Sequence, residues 1–332
     1  MDHNKFIERI FSIRKGAEFN DLSLKLFHHQ ARENLVYKSY LDLLRIEPRK
    51  VMTVEDIPYL PIELFKSQDV ITGKWTAELV FHSSGTTGET VSVHQVRSSS
   101  VYKRSFIEGF KHAYGDPCAY ILLCLLPNYL GKSNSSLIYM TDELVKMTDN
   151  ALSGYYLDQE NDLTDALGSA IGSGKKVMLL GVSYALLDFA DRDDLPDLTD
   201  VIVMETGGMK GNRREMVKEE LHNILKNKLG VTVIHSEYGM TELLSQAYSK
   251  GAGHFHCPPW MGVNVRDVND PFNCMGTGYS GGLNIIDLAN VDSCAFIATQ
   301  DLGKVNVDGS FELLGRFDRS DIRGCNLLVM GG

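Results

Sequence analysis

The feature that most restricts the fold is a succession of four short apolar runs, Ala119 to Leu126, Lys176 to Leu180, Val201 to Met204 and Val231 to Ile234, each followed by a segment of helical character. Runs this short and this continuously apolar read as strands buried on both faces, and strands alternating with helices predict a parallel sheet covered on both sides. With 332 residues the chain exceeds what one core comfortably organises, so further units are expected around that α/β body. Upstream, Phe6, Ile7, Ile10 and Phe11 alternate with charges to predict a short amphipathic helix, and Leu22, Leu26, Val36, Tyr40, Leu43 and Leu44 continue the helical spacing from Asp21 to Ile46. Pro48, Pro58 and Pro61 make Glu47 to Gly73 a connecting stretch. Beyond Gly251, prolines at 258, 259 and 271 and β-prone pieces such as Cys294 to Thr299 and Ser310 to Leu314 predict a small antiparallel sheet or barrel packed on the body.

Composition narrows the classes of partner. Lys and Arg number 33 against 43 Asp and Glu, a formal net charge of -10, which argues against a nucleic-acid duplex as main partner because such affinity comes from a basic surface. A local cationic pocket stays compatible with it. The six cysteines, at 118, 124, 257, 274, 294 and 325, show no CxxC pair, and no apolar export segment precedes them; the expectation is a reduced, cytoplasmic protein. No stretch approaches the roughly 20 apolar residues of a bilayer span.

Three motifs carry chemistry. In Phe81-His82-Ser83-Ser84-Gly85-Thr86-Thr87-Gly88-Glu89, small residues let backbone N–H groups approach a phosphate while the hydroxyls of Ser83, Ser84, Thr86 and Thr87 add donors. It lacks the Gly-Lys-Ser/Thr ending of a P-loop, and the plainer reading is a flexible surface turn. Ser236-Glu237-Tyr238-Gly239-Met240-Thr241-Glu242 follows an apolar run, where ligands bind in a parallel sheet; Tyr238 can stack on a base, Thr241 can donate to a phosphate and Glu242 can hold Mg²⁺. Its plainer reading is a glycine turn and a helix cap. The third group is Thr299-Gln300-Asp301, then the hairpin turn Asp308-Gly309, then Gly315-Arg316-Phe317-Asp318; an Asp in a loop before that hairpin can accept both hydroxyls of a ribose.

In this order and at these separations, the three groups resemble the adenylate-forming superfamily of acyl-CoA synthetases, luciferases and peptide-synthetase adenylation domains. A fourth element, Glu205-Thr206-Gly207-Gly208-Met209-Lys210-Gly211, resembles the segment that packs along the adenine in those enzymes. The resemblance implies that Ser83 to Gly88 embrace the ATP phosphates, that Gly207, Gly208 and Glu237 to Thr241 form the adenine site, that Asp301 binds ribose, and that Arg316 marks a hinge. It implies the large N-terminal α/β domain of that superfamily, layered sheets with a small barrel-like subdomain, without the C-terminal lid. The expected division is a helical segment at 1–75, an α/β nucleotide-binding core at 76–250, and a β-rich subdomain at 251–332 ending at the hinge.

Within the superfamily, Leu126-Pro127-Asn128-Tyr129-Leu130, Glu237 to Tyr248 and Gly315 to Cys325 look most like the acyl-protein synthetases of the LuxE type, with phenylacetate-CoA ligases as the competing relatives. The implied activity is ATP- and Mg²⁺-dependent activation of a carboxylic acid, a fatty acid, to an acyl-adenylate, followed by transfer to a thiol. The implied acceptors are a reductase, a carrier protein or CoA. Thr86, Glu242, Lys210 and Cys325 are the candidate catalytic residues, with Glu242 the metal ligand. Two departures leave a shortage of positive charge: Thr90 and Val91 stand where many members carry a Lys, and the lysine of the absent lid has no counterpart. Lys210, Arg316, Arg319 and Arg323 are candidate substitutes. Cys325 is either the acylated thiol, activated by Arg319 and Arg323, or a small core residue. Val182, Tyr184 and Trp260 are expected at an apolar acyl pocket. His254-Phe255-His256-Cys257 offers zinc-type ligands without an evident fourth, the alternative being a turn beside Pro258. The competing readings are a CoA ligase truncated of its C-terminal domain and a non-catalytic nucleotide- or acyl-binding subunit.

Overall fold

The computed structural model describes residues 1–84, 90–126, 134–157, 160–207 and 216–317. The described helices, numbered along the chain, are α1 (His3–Ile10), α2 (Gly16–Glu33), α3 (Leu35–Leu43), α4 (Ser99–Tyr114), α5 (Ser136–Thr148), α6 (Glu160–Ile171), α7 (Ser183–Ala190) and α8 (Lys218–Leu229). The described strands are β1 (Leu60–Pro61), β2 (Leu79–His82), β3 (Val93–Val96), β4 (Tyr120–Leu125), β5 (Gly154–Tyr155), β6 (Lys176–Val182), β7 (Val201–Thr206) and β8 (Ile234–Tyr238). They continue as β9 (Ala247–Ser249), β10 (Phe255–His256), β11 (Met261–Arg266), β12 (Cys274–Met275), β13 (Ser280–Asp287), β14 (Phe296–Val305) and β15 (Phe311–Arg316).

The apolar runs form the parallel sheet that their pattern predicts. β5, β4, β6, β7 and β8 lie side by side in parallel, and every residue of β4 is buried because helices cover both faces. The fourth run differs from expectation. Gly230, in the left-handed conformation at φ 67°, ends α8, residues 231–233 serve as the crossing, and the strand itself is Ile234–Tyr238. No helix follows it; the chain turns back into antiparallel β9. From there the hydrogen-bonded path continues through β10, β15, β14, β13, β11 and β12, all antiparallel, so the β-rich part extends the parallel set. Among the described residues β2 stands apart from that sheet and pairs only with β3, as an antiparallel ribbon.

The N-terminal helices attach to the connection between β13 and β14. Leu22, Leu26 and Gln30 fall on one stripe of α2, and Gln30 Nε2 donates to the carbonyls of Asn290 (2.8 Å) and Ser293 (3.1 Å) while its Oε1 accepts from Ala295 N at 2.9 Å. Asn34 interrupts the helical spacing by leaving α2 in an extended conformation and capping α3, its side chain accepting from Tyr37 N at 2.9 Å. The same connection faces the opposite way toward the residues after β8: Asn290 Nδ2 donates to the Glu242 carbonyl at 2.8 Å, and fully buried Asp287 accepts from Leu244 N (2.8 Å), Ser245 N (2.9 Å) and Ser245 Oγ (2.6 Å). Replacing Gln30 by Leu leaves buried carbonyls and an N–H without a partner. The Gln30→Leu variant is expected to lose about 2–4 kcal/mol of stability, measured by urea unfolding.

Candidate active site

Tyr238 ends β8, and its ring stands edge-on to Phe311 (5.3 Å) and Phe255 (6.0 Å). Its hydroxyl donates to Asp301 Oδ2 at 2.8 Å. Asp301 lies opposite Arg316 in the β14–β15 register, with Arg316 Nε 3.3 Å from Oδ1. Glu242, four residues after Tyr238, feels the charges of both Arg316 and Asp301. Tyr238, Glu242, Asp301 and Arg316 therefore converge, although Asp301 sits within β14 and not in a loop before the hairpin, and Ser236, Glu237 and Tyr238 belong to β8 and not to the loop after it. Asp301 can still project because β14 leaves the ladder there: Gly282 pairs with Leu302 and Asn284 with Ala298, so Thr299, Gln300 and Asp301 stand against Leu283 alone.

Burial raises the Glu242 and Asp301 carboxyls, and Arg316 opposes that shift in both. Among the described residues, two largely buried carboxylates share the Arg316 guanidinium, whose side chain is 74% exposed, while Arg266 and Lys218 also act on Asp301. No group of three or more His, Cys, Asp or Glu among the described residues stands together as a metal cage. The donor set suits Mg²⁺ shared with substrate phosphates, which needs only one or two protein carboxylates. Glu242 is the better placed of the two, since Asp301 is engaged by Tyr238 and Arg316.

The β2–β3 ribbon docks against the same corner. At its open end Ser83 N donates to the Ser92 carbonyl (3.0 Å) and Ser92 N donates to Ser83 Oγ (2.8 Å), so Ser83 closes the stem from which residues 85–89 depart; Ser84 is exposed beside it. Ser92 hydrogen-bonds Glu242, and His94 Nδ1 donates to the Thr241 carbonyl at 2.7 Å. Burial holds the His94 imidazole down to about 4, so it works as a neutral donor. Sequence reading missed Ser92 and His94, whose only signal is a polar residue at every second position of a β-prone run. Gly85, Thr86, Thr87, Gly88, Gly208, Lys210, Arg319, Arg323 and Cys325 lie outside the described residues. Gly207 is exposed at the end of β7, its carbonyl accepting from Ser183 Oγ at 3.4 Å.

Other expectations fall elsewhere. Met240 and Thr241 are half-buried in the turn, Thr241 contributing its carbonyl to His94. Gly239 is required by Glu237, whose Oε1 would lie 2.5 Å from a β-carbon there. Trp260 is part of the core: its indole N–H donates to Ser245 Oγ (3.0 Å) and its ring packs on Phe11. His254 pairs with Asn306 at 3.2 Å, burial pushes the Cys257 thiol up to about 12, and no group of three or more metal-type ligands gathers here among the described residues.

Alternation along β8 turns Glu237 away from Tyr238, to the side where Thr206 Oγ1 donates to it and Tyr248 lies opposite. Burial raises its carboxyl to about 7. On the other face, Glu205 has no exposed surface; burial would raise it, but Lys218, His222 and Ser236 outweigh burial and hold it at about 2. The signs oppose. Glu205 contributes stability above its ordinary value near 4.5 that is lost as pH falls toward 2. Glu237 favours the folded state while protonated, and that contribution fades as pH rises from about 4.5 through 7. A Glu237→Gln variant keeps an acceptor for Thr206 and removes the second effect: urea unfolding is expected to find it a few kcal/mol more stable than the parent at pH 8, with the difference closing toward pH 4.5.

No curated protein matches the chain. Among solved structures, ATP-bound MatB from Rhodopseudomonas palustris aligns with a TM-score of 0.54 at 15% identity, over 73% of this chain and 49% of MatB. The ATP-bound RpMatB-BxBclM chimera B1 gives 0.55 at 15% identity over 73% and 49%. The chain thus spans about half the length of these structures. The likeness shows the fold alone: the chain shares the α/β fold of the half of these structures with which it aligns. A sequence model of the acyl-protein synthetases, LuxE, matches residues 13–331, and the chain belongs to that family.

Proposed function

We propose that this protein activates a carboxylic acid, a fatty acid, with ATP and passes the acyl group to a thiol. The observation that supports the reading most is the meeting of Tyr238, Glu242, Asp301 and Arg316 at the carboxyl end of β8, against the stem of the ribbon that carries Gly85 to Gly88. In this reading Tyr238 and Gly207 flank the adenine, Asp301 accepts the ribose hydroxyls, and Ser83, Ser84 and the following loop donate to phosphates. Mg²⁺ at Glu242 supplies neutralisation of phosphate charge.

A carboxylate oxygen of the acid bonds to the α-phosphorus, the bond from that phosphorus to the bridging oxygen breaks, and pyrophosphate leaves. The acid is already ionised near neutral pH, so no general base is required. The protein's part is positioning and charge compensation. A thiolate then attacks the acyl carbonyl, the carbon–oxygen bond to the phosphate breaks, and AMP leaves. Cys325 is the thiol of this chain assigned to that step, ahead of a reductase, carrier protein or CoA as final acceptor.

Among the described residues, positive charge is the scarce component at the site. Thr90 and Val91 supply none after the phosphate loop, and of the other described cations near Asp301, Lys218 is paired with Glu205 and Arg266 is buried among backbone carbonyls. An acceptor protein that adds cations is therefore expected to accelerate the first step. The test is ATP:pyrophosphate exchange with a panel of fatty and aryl acids. A fatty acid is expected to support exchange, and Glu242→Gln to lower it about 100-fold without loss of stability. Exchange with no acid would overturn the reading. After incubation with ATP and the acid, mass spectrometry is expected to find a hydroxylamine-sensitive acyl group on the parent and none on Cys325→Ser.

A further inference from the structure

The bulge that projects Asp301 should be costly, because it removes three residues of β14 from their ladder with β13. One side chain fills the break. Arg266, the last residue of β11, is only 9% exposed and makes no ion pair with a carboxylate among the described residues. Its Nη1 donates to the Leu283 carbonyl at 2.6 Å and to Asn284 Oδ1 at 2.8 Å, and its Nη2 donates to the Thr299 carbonyl. The guanidinium thus bridges the two strands at the place where their own hydrogen bonds stop. Thr299 completes the plug: its hydroxyl donates to the Leu283 carbonyl (2.9 Å) and accepts from Asp301 N (3.1 Å).

Two further observations indicate that the pocket is shaped around this group. Gly282 has no room for a side chain, since a β-carbon there would stand 2.5 Å from Arg266 Cζ. The Phe317 ring lies 5.4 Å from the same carbon, while Phe317 N donates to the Gln300 carbonyl at 2.7 Å, closing the bulge from the β15 side. A buried cation held mainly by backbone carbonyls is expensive to keep, although the charges of Glu63 and Asp301 favour it. Its position behind Asp301 opposes the effect of burial on that carboxyl, helping to keep it ionised.

We propose that Arg266 is a positioning residue for the nucleotide: its planar fork holds the bulge open and aims the Asp301 carboxylate at the ribose. The proposal deepens the ATP-site reading and rests on it. Lysine cannot reproduce the role, because a single ammonium does not offer the fixed, divergent donors that reach Leu283 and Thr299 together.

The test is competitive binding of ATP against 2′-deoxy- and 3′-deoxy-ATP to the parent, Asp301→Ala, Arg266→Met, Arg266→Lys and the Arg266→Met/Asp301→Ala double variant, with thermal unfolding of each. The parent is expected to prefer ATP. Asp301→Ala and Arg266→Met are each expected to bind ATP about tenfold more weakly and to lose that preference, Arg266→Lys not to restore it, and the double variant to be no worse than Asp301→Ala. Should Arg266→Met fail to fold, Gly282→Ala moves the guanidinium without deleting it and is expected to show the same loss of preference. A parent that discriminates beside a folded Arg266→Met or Gly282→Ala that discriminates equally overturns the role of Arg266 alone. A parent indifferent to the ribose hydroxyls overturns the nucleotide reading as well.

Discussion

The interaction on which the site most depends is the set of hydrogen bonds to Asp287. This fully buried carboxylate sits at the end of β13 and accepts from Leu244 N, Ser245 N, Ser245 Oγ and Ala289 N. A carboxylate in that position is stable only because N–H and O–H donors satisfy it. In satisfying them it fixes the segment after β8 against the β13–β14 connection, and hence fixes Glu242 relative to Asp301. The N-terminal helices bind the far side of the same connection through Gln30 and Asn34. The helical segment thus contributes to the site without reaching it.

Two arrangements of charge follow from this frame. At the sheet end, Glu242 and Asp301 share Arg316, an arrangement that suits a ligand arriving with its own cation. On the same face of the sheet as Tyr238, Glu205 is matched by Lys218 and His222. The carboxylates of β7 and β8 are separated by strand alternation: Glu205 faces α7 and α8, while Glu237 faces the opposite side with Thr206.

Much of this was legible in the order of residues. β4, β6 and β7 could be read directly because continuous burial leaves an unbroken apolar run, and the Asp308-Gly309 hairpin because its turn needs a glycine, Gly309, at φ 82°. The start of β8 was misplaced because Val231 and Val233 are as β-prone as the residues that pair, and only the glycine stop of α8 decides between them. The convergence of Tyr238, Glu242, Asp301 and Arg316 was legible through the ordered set of motifs and not through any single one. The bulge was not legible, since it is defined by partners in β13, and Arg266 looks in sequence like any arginine at a strand end. Its acceptors lie 17 to 33 residues downstream.

The separateness of the β2–β3 ribbon has a consequence for how the molecule breathes. A two-stranded ribbon has little cohesion of its own. Its order is borrowed from Phe81 in the core and from the contacts of Ser92 and His94 with the Thr241–Glu242 turn. Loosening those contacts frees the ribbon without disturbing any rung of the main sheet, so β2 and β3 can exchange their amide hydrogens through an opening far shallower than global unfolding.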